Sequence, residues 1–381
     1  MKRSNILIIN AVPSNNGDAA LIFSLSNALK SKGYPVKIAC QHYDLVKDLY
    51  PKENLVRELL DYPSLRKIPY NKYIKFLLTP VAFLFNKNFL FSQTIIASPG
   101  GYINSYYGFF KVALTLIVAK LLGKKTGIYS QSFGPLDKPD TLLMKFVSYF
   151  LDIIYARDRY SYDVLMNARI DTQKVELVED GAFLIPFTHS KTDEKDTIAI
   201  SVRTWKHDAR DEEKYKAMIR SFVAALCQKG YKVEFLSTCQ GLEGYIDDSK
   251  LASAITKELP SDVQTSVTVN TTYYTLDELR IYLEKFRAVI GTRLHMCILS
   301  LLSNKPSLNI SYEVKGKQAY RYLGLDDFSI DYNEDLDAAM SKLNNFLTSD
   351  YFSGGIIEPL MKNQNKKAGD FLDLFLKRIQ S

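Results

Sequence analysis

The sequence predicts an α/β protein made of two successive parallel-sheet domains, and three observations carry that expectation. Residues 5–40 run as an apolar strand, an amphipathic helix and a second apolar strand, a βαβ unit whose strands must lie parallel. A second series of strand and helix patterns occupies residues 197–355, after a polar, charged stretch at 188–196. At 381 residues with 46% hydrophobic side chains, the chain is long for one domain and sufficient for two cores.

Residues 5–11 read as a buried strand and 19–32 as a helix with Leu21, Leu25, Ala28 and Leu29 on one side; Gly33 stops it. A strand follows at 34–40, and further strands are expected at 94–98, 125–130 and 153–156, with an apolar helix at 112–122. Together these make a Rossmann-like domain over residues 1–187, joined through the polar stretch to a second domain at 197–355. That domain opens with a strand at 197–202 and continues with strands at 232–236, 266–269, 288–290 and 307–310, separated by helices. Residues 356–379 read as a last helix.

Composition narrows the function classes. Cys40, Cys227, Cys239 and Cys297 are widely spaced, without a CxxC or Cys/His pairing, so neither a disulfide framework nor a zinc site is expected. The N-terminus runs into a strand without the long apolar core of a signal peptide, and a cytoplasmic location is expected. The uncharged apolar run at 76–85 contains Pro80 and is too short to cross a bilayer. Residues 62–136 carry nine Lys or Arg and no Asp or Glu, a charge of +9 against +7 for the entire chain. With Tyr70, Tyr73, Phe76, Phe83, Phe85, Phe89 and Phe91 interleaved, this segment is a candidate for peripheral contact with an anionic membrane; a solvated basic face over a buried helix is the alternative. No nucleic-acid-binding module accompanies the charge, and no nucleic acid partner is expected.

Chemistry concentrates between Arg287 and Lys317. Here Ala288-Val289-Ile290 breaks at Gly291-Thr292 into Arg293-Leu294-His295 and an apolar helix. The first turn of a helix leaves N–H groups unpaired and carries partial positive charge, so the junction suits an anion. Arg293 adds a planar, permanently charged fork, and Lys315 follows the next apolar segment, after Ser311 and Tyr312. In parallel α/β sheets ligands collect at such strand ends. His295, Ile298, Leu299 and Leu302 share one helical stripe, so a buried core histidine stands as the alternative to a functional one. Arg293, between buried elements, must find a partner or reach solvent.

Gly291-Thr292-Arg293-Leu294-His295, the apolar helix behind it, Lys305-Pro306, Ser311-Tyr312 and Lys315 together resemble the polysaccharide pyruvyl transferase family. In that family's order also stand Asn16-Gly17-Asp18, Pro99-Gly100-Gly101, Gln131-Ser132-Phe133-Gly134-Pro135, Ala156-Arg157-Asp158-Arg159-Tyr160-Ser161, Asp180-Gly181-Ala182-Phe183 and Ile200-Ser201-Val202-Arg203. The likeness covers nearly the whole chain. It implies two Rossmann-like domains facing a cleft, similar to the B-type glycosyltransferase fold. The first domain would be the acceptor side and the second the donor side, with residues 356–381 crossing back to the first.

The resemblance implies phosphoenolpyruvate as donor and a pyruvate ketal formed on a sugar, commonly across two hydroxyls. The implied acceptor belongs to capsule, exopolysaccharide or cell-wall glycan assembly at the inner face of the cytoplasmic membrane, and is lipid-linked, soluble or polymeric. No cofactor or metal is expected, since the loop at 12–18 has one glycine where dinucleotide binding asks for GxGxxG, and no metal-ligand spacing occurs. A donor with phosphate and carboxylate needs fixed cations or helix N-termini, for which Arg293, Arg203, Arg157 and Lys315 are the candidates. Leu294, Gly17, Gly100, Gly101, Ser311 and Tyr312 complete the expected substrate-binding positions. His295 is the candidate general acid, and Asp18 the group that orients or deprotonates an acceptor hydroxyl.

Judged locally, each has a structural alternative. Asp18 sits where a helix N-cap would sit, Arg203 suits a surface salt bridge, Asp158 could neutralise Arg157, and Gly100 and Gly101 suit close backbone approach. Glu179 and Asp180 read as a turn or a domain-interface feature. The main competing function is a B-type glycosyltransferase using a nucleotide sugar; a catalytically silent, membrane-associated glycan-binding component is the third.

Overall fold

A computed structural model describes residues 3–61, 78–189, 196–205, 210–353 and 355–380. Arg66, Lys67, Tyr70, Lys72, Tyr73, Lys75 and Phe76 of the basic segment, most of the polar stretch at 188–196, and His207 lie outside the described residues. The chain divides into two compact α/β units. The first comprises Met1–Ser14, Asp18–Leu184 and Lys366–Ser381, and the second Asn15–Gly17 and Ile185–Asn365.

The first unit holds β1 (Ile6–Ala11), β2 (Val36–Cys40), β3 (Leu55–Arg57), β4 (Thr94–Ala97), β5 (Gly100–Ile103), β6 (Lys125–Phe133), β7 (Ile153–Ala156) and β8 (Val175–Leu177). They form one sheet in the order β3-β2-β1-β4-β6-β7-β8, with β5 alongside β6. Every pairing is parallel. Strands covered on both faces read as uninterrupted apolar runs, which is why Thr94-Ile-Ile-Ala and Ile153-Ile-Tyr-Ala are buried at every position. The last helix, Ile357–Gln380, brings Phe375 edge-on to Tyr129 of β6 and Tyr155 of β7, with centroids 5.1 and 5.2 Å apart.

The second unit repeats the plan with β9 (Thr197–Ser201), β10 (Lys232–Phe235), β11 (Val267–Val269), β12 (Ala288–Gly291), β13 (Ser307–Ser311) and β14 (Ser329–Asp331). Its order is β11-β10-β9-β12-β13-β14, again parallel throughout. Gly291 at the end of β12 stands level with Ser201 of β9 on one side and Asn309 of β13 on the other. The carboxyl ends of these three strands are therefore neighbours, and the residues following them share one edge.

Among the described residues no helix is long and apolar enough to cross a membrane.

Candidate functional site

The strand-to-helix turn after β12 is tight. A Cβ on Gly291 would lie 2.4 Å from Cys297 Sγ, so glycine is what lets helix Leu294–Leu302 fold back onto the strand that leads into it. Burial pushes the Cys297 thiol up to about 12, and it donates to Gly291 O at 3.5 Å instead of acting as a nucleophile. Eight of the nine helix residues are buried, and His295, at the second position, is half-buried.

Asn15–Gly17 cluster with this second unit. Asn16 donates through its backbone N–H to Thr238 O at 3.0 Å and through Nδ2 to Tyr274 O at 2.8 Å. Gly17 lies directly against the imidazole: a Cβ there would stand 3.1 Å from both Cβ and Nδ1 of His295. A side chain at position 17 would press on that histidine, which accounts for the glycine better than turn conformation does.

Arg203 and Tyr312 come from the ends of β9 and β13, on either side of β12. Arg203 donates to the Tyr312 hydroxyl, and its guanidinium lies 4.4 Å from the Tyr312 ring centroid and 5.1 Å from that of Trp205. Trp205 and Tyr312 pack at 4.6 Å. The surface salt bridge considered for Arg203 is not what its described contacts show. Beneath, Tyr215 stacks on Tyr332 at 4.0 Å and shares a 2.7 Å hydrogen bond with Thr292 in the β12 turn. A shallow recess adjoins this cluster, lined by Thr292, Leu294, Asn309, Ile310, Ser311, Tyr312, Glu313, Lys315 and Gly316.

Several expected site residues are engaged within the protein. The Arg293 fork, expected to face an anion, instead grips Asp248 in two 2.8 Å hydrogen bonds from Nε and Nη2, both side chains being buried. Burial works against its charge, but the Asp248 carboxylate outweighs that and holds the guanidinium protonated well above its ordinary range. Asp248 also accepts from Ser237. Lys315 ion-pairs with Glu313. Ser311 Oγ sits under Gly316, where a Cβ would approach to 2.3 Å, and accepts from Asn309 at 3.2 Å.

In the first unit, Arg157 is neutralised by Asp180 at 3.0 Å and donates to Ser132 at 2.7 Å; Asp158, the expected partner, instead caps helix Arg159–Asn167. Asp180 also accepts from Ala182 N at 2.9 Å, the turn role read for it. Asp18 is not an N-cap. Helix Asn16–Ser31 begins two residues earlier, Asn15 Oδ1 accepting from Gly17 N at 2.9 Å, and Asp18 is a half-buried acid in its first turn. Gly100 begins β5 beside its own neighbour Tyr102, whose ring would lie 3.0 Å from an added Cβ; Gly101 follows in the same strand. Sequence reasoning missed Asp248, Ser237 and Trp205 as parts of the network.

Among the described residues no group of three or more His, Cys, Asp or Glu is arranged to hold a metal.

These features define the class of two-unit parallel α/β proteins, here with Arg203, Tyr312 and a helix N-terminus at the carboxyl edge of the second sheet. Residues 15–314 match the family model described as polysaccharide pyruvyl transferase, and the chain belongs to that family. It is 26% identical over 275 residues to the amylovoran biosynthesis protein AmsJ of Erwinia amylovora, a match over 67% of this chain and 65% of that relative. The chain thus spans slightly less than two thirds of that relative's length. Among solved structures it resembles HepE of Anabaena in complex with UDP-glucose, with a TM-score of 0.64 at 10% identity over 98% of this chain and 100% of that one. It also resembles UDP-GlcNAc 2-epimerase from Neisseria meningitidis bound to UDP-GlcNAc, with a TM-score of 0.61 at 11% identity and the same coverage. At such identities the likeness concerns the fold: two Rossmann-like units of the B-type glycosyltransferase and epimerase kind.

Proposed function

We propose that this protein transfers the pyruvyl group of phosphoenolpyruvate onto two hydroxyls of a sugar in a cell-surface glycan or its precursor. Membership of the polysaccharide pyruvyl transferase family supports the reading. The observation that carries it is that Arg203, the His295-bearing first turn of helix Leu294–Leu302 and Tyr312 follow the adjoining ends of three neighbouring strands, β9, β12 and β13, with Arg203 bonded to Tyr312 across them. A donor with a phosphate and a carboxylate needs such a pairing of fixed cation and exposed amides.

In this mechanism Arg203 and the helix N-terminus hold the anionic groups, while Arg293, neutralised by Asp248, fixes the turn that leads into that helix. His295 delivers a proton to the methylene carbon of the donor, turning it into a methyl group and leaving an oxocarbenium-like centre at the adjacent carbon. One sugar hydroxyl adds to that centre with loss of its proton. Phosphate then leaves, and the second hydroxyl closes the ketal, giving its proton to the departing phosphate. Asp18 is the acid proposed to orient or deprotonate the acceptor hydroxyl. Lys315, Leu294, Gly17, Ser311 and Tyr312 line or shape the donor end; Arg157, held by Asp180, and Gly100 and Gly101 are proposed as substrate-binding positions of the first unit. No metal or cofactor enters the scheme. The donor is an intracellular metabolite, which favours a cytoplasmic site of action.

The test is to incubate the protein with phosphoenolpyruvate and a panel of galactosides, mannosides and amino sugars, following phosphate release and product mass. Acceptor-dependent phosphate release with a ketal-bearing product is expected. Release of nucleotide from nucleotide sugars, with phosphoenolpyruvate left intact, would replace this reading with a glycosyltransferase.

A further inference from the structure

Outside the site, the first unit presents an apolar surface on the opposite edge of its sheet. Of the 19 large apolar side chains exposed among the described residues, 13 fall between Leu78 and Tyr149. Six of them sit in the three segments that lead into β4, β6 and β7, which are consecutive neighbours in the sheet. Phe85 and Phe91 precede β4, Leu121 and Leu122 precede β6, and Phe146 and Tyr149 precede β7. Parallel strands all start on one edge, so these side chains share the edge opposite to the one where α/β sheets take their ligands.

The three segments are tied together. Lys124 Nζ donates to the carbonyls of Leu90 and Ser92 at 2.6 Å each, joining the turn before β6 to the segment before β4. Lys120 pairs with Asp152 at 2.6 Å, and Asp152 accepts from Thr126 N at 2.8 Å, joining the turn before β7 to the start of β6. Phe85, Leu121 and Tyr149 are 85%, 72% and 68% exposed on this tied edge. An apolar edge so exposed marks a contact surface.

The charge around it selects the occupant. From Leu78 to Leu136 there is no acidic residue, and Lys87 and Lys125 lie in the same segments, while Asp152 is already paired. Two copies docked face to face would oppose like charges. An anionic bilayer complements both features, taking the rings and leucines below its headgroups and the lysines among them. We propose that this sheet edge, centred on Phe85, Phe91, Leu121, Leu122, Phe146 and Tyr149, docks on an anionic lipid surface.

Vesicle flotation tests it, with phosphatidylcholine alone or mixed with phosphatidylglycerol. The full-length protein is expected to float with the mixed vesicles, less so as salt is raised, and to stay behind with phosphatidylcholine alone. The double variant Leu121→Ser/Phe146→Ser should partition about tenfold less into the mixed vesicles with unchanged circular dichroism. Phe85→Ser, at a position with almost no packing to lose, serves as a second variant should the double one fold poorly. The proposal is overturned if the wild-type protein ignores the mixed vesicles or the variants float as well as it does. It is also overturned if light scattering shows a dimer that the substitutions dissolve, since the edge would then bind a second copy.

Discussion

The Arg203 guanidinium spans β12 to reach Tyr312, donating a hydrogen bond to its hydroxyl while lying 4.4 Å from its ring centroid. The tyrosine thus holds the cation by both its edge and its face. Tyr312→Phe keeps the ring and removes the hydroxyl; donor KM is expected to rise about fivefold with kcat little changed, the worth of one hydrogen bond. Arg203→Lys keeps the charge but loses the planar stack, and should cost more in kcat/KM than Tyr312→Phe does. Steady-state kinetics with varied phosphoenolpyruvate measures both.

His295 is half-buried on an otherwise encased helix, so its removal should leave the packing largely intact. His295→Ala is expected to lower kcat by about 10²- to 10⁴-fold, the usual worth of a positioned general acid, with a thermal midpoint close to the parent's. Near-normal turnover in that variant would remove the imidazole from the proton transfer.

The Arg293–Asp248 pair is buried and bidentate. Removing one partner strands the other's charge, so Asp248→Ala should destabilise the protein by about 3–5 kcal/mol in denaturant unfolding. Replacing both by apolar residues of similar volume, Arg293→Met with Asp248→Leu, should restore much of that loss while still weakening activity. Equal destabilisation of single and double variants would show that the charges are not the reason for the cost.

Asp152 provides a pH signature in the first unit. Burial alone would raise its pKa, but the Lys120 ammonium and the Thr126 N–H overcome this and hold the carboxylate below its ordinary value of 3.8. A group depressed on folding contributes stability that is present above the unfolded value and is lost as pH falls through the folded one. Asp152→Asn should therefore cost about 1–2 kcal/mol at neutral pH, and the gap between variant and parent should close as the solution is acidified below pH 3.8. Urea titrations at a series of pH values read it directly.

Much of the fold was legible because its central strands are covered on both sides. Ile6–Ala11, Ile153–Ala156 and Ala288–Gly291 appear as plain apolar runs, and the break at Gly291-Thr292 marks where helix Leu294–Leu302 starts. β3, β5, β8 and β14, three or four residues each, are too short to show a period. Periodicity also placed the first helix three residues late, because Asn15 caps it ahead of its first apolar turn. The side-chain partners were hidden for a different reason. Asp248 stands 45 residues from Arg293 at the entry to helix Ser249–Lys257, and Asp180 stands 23 from Arg157; no local pattern links such positions before the sheet order is known.

A helix shielded from water along almost its whole length is held in one place by the side chains packed around it. The first turn behind Gly291 is thus ordered in advance, and an anion bound there would not have to forfeit the freedom of a floppy element. Drift in what this protein accepts should accordingly be recorded in its loops, while the seat of the imidazole stays fixed by the volume around it.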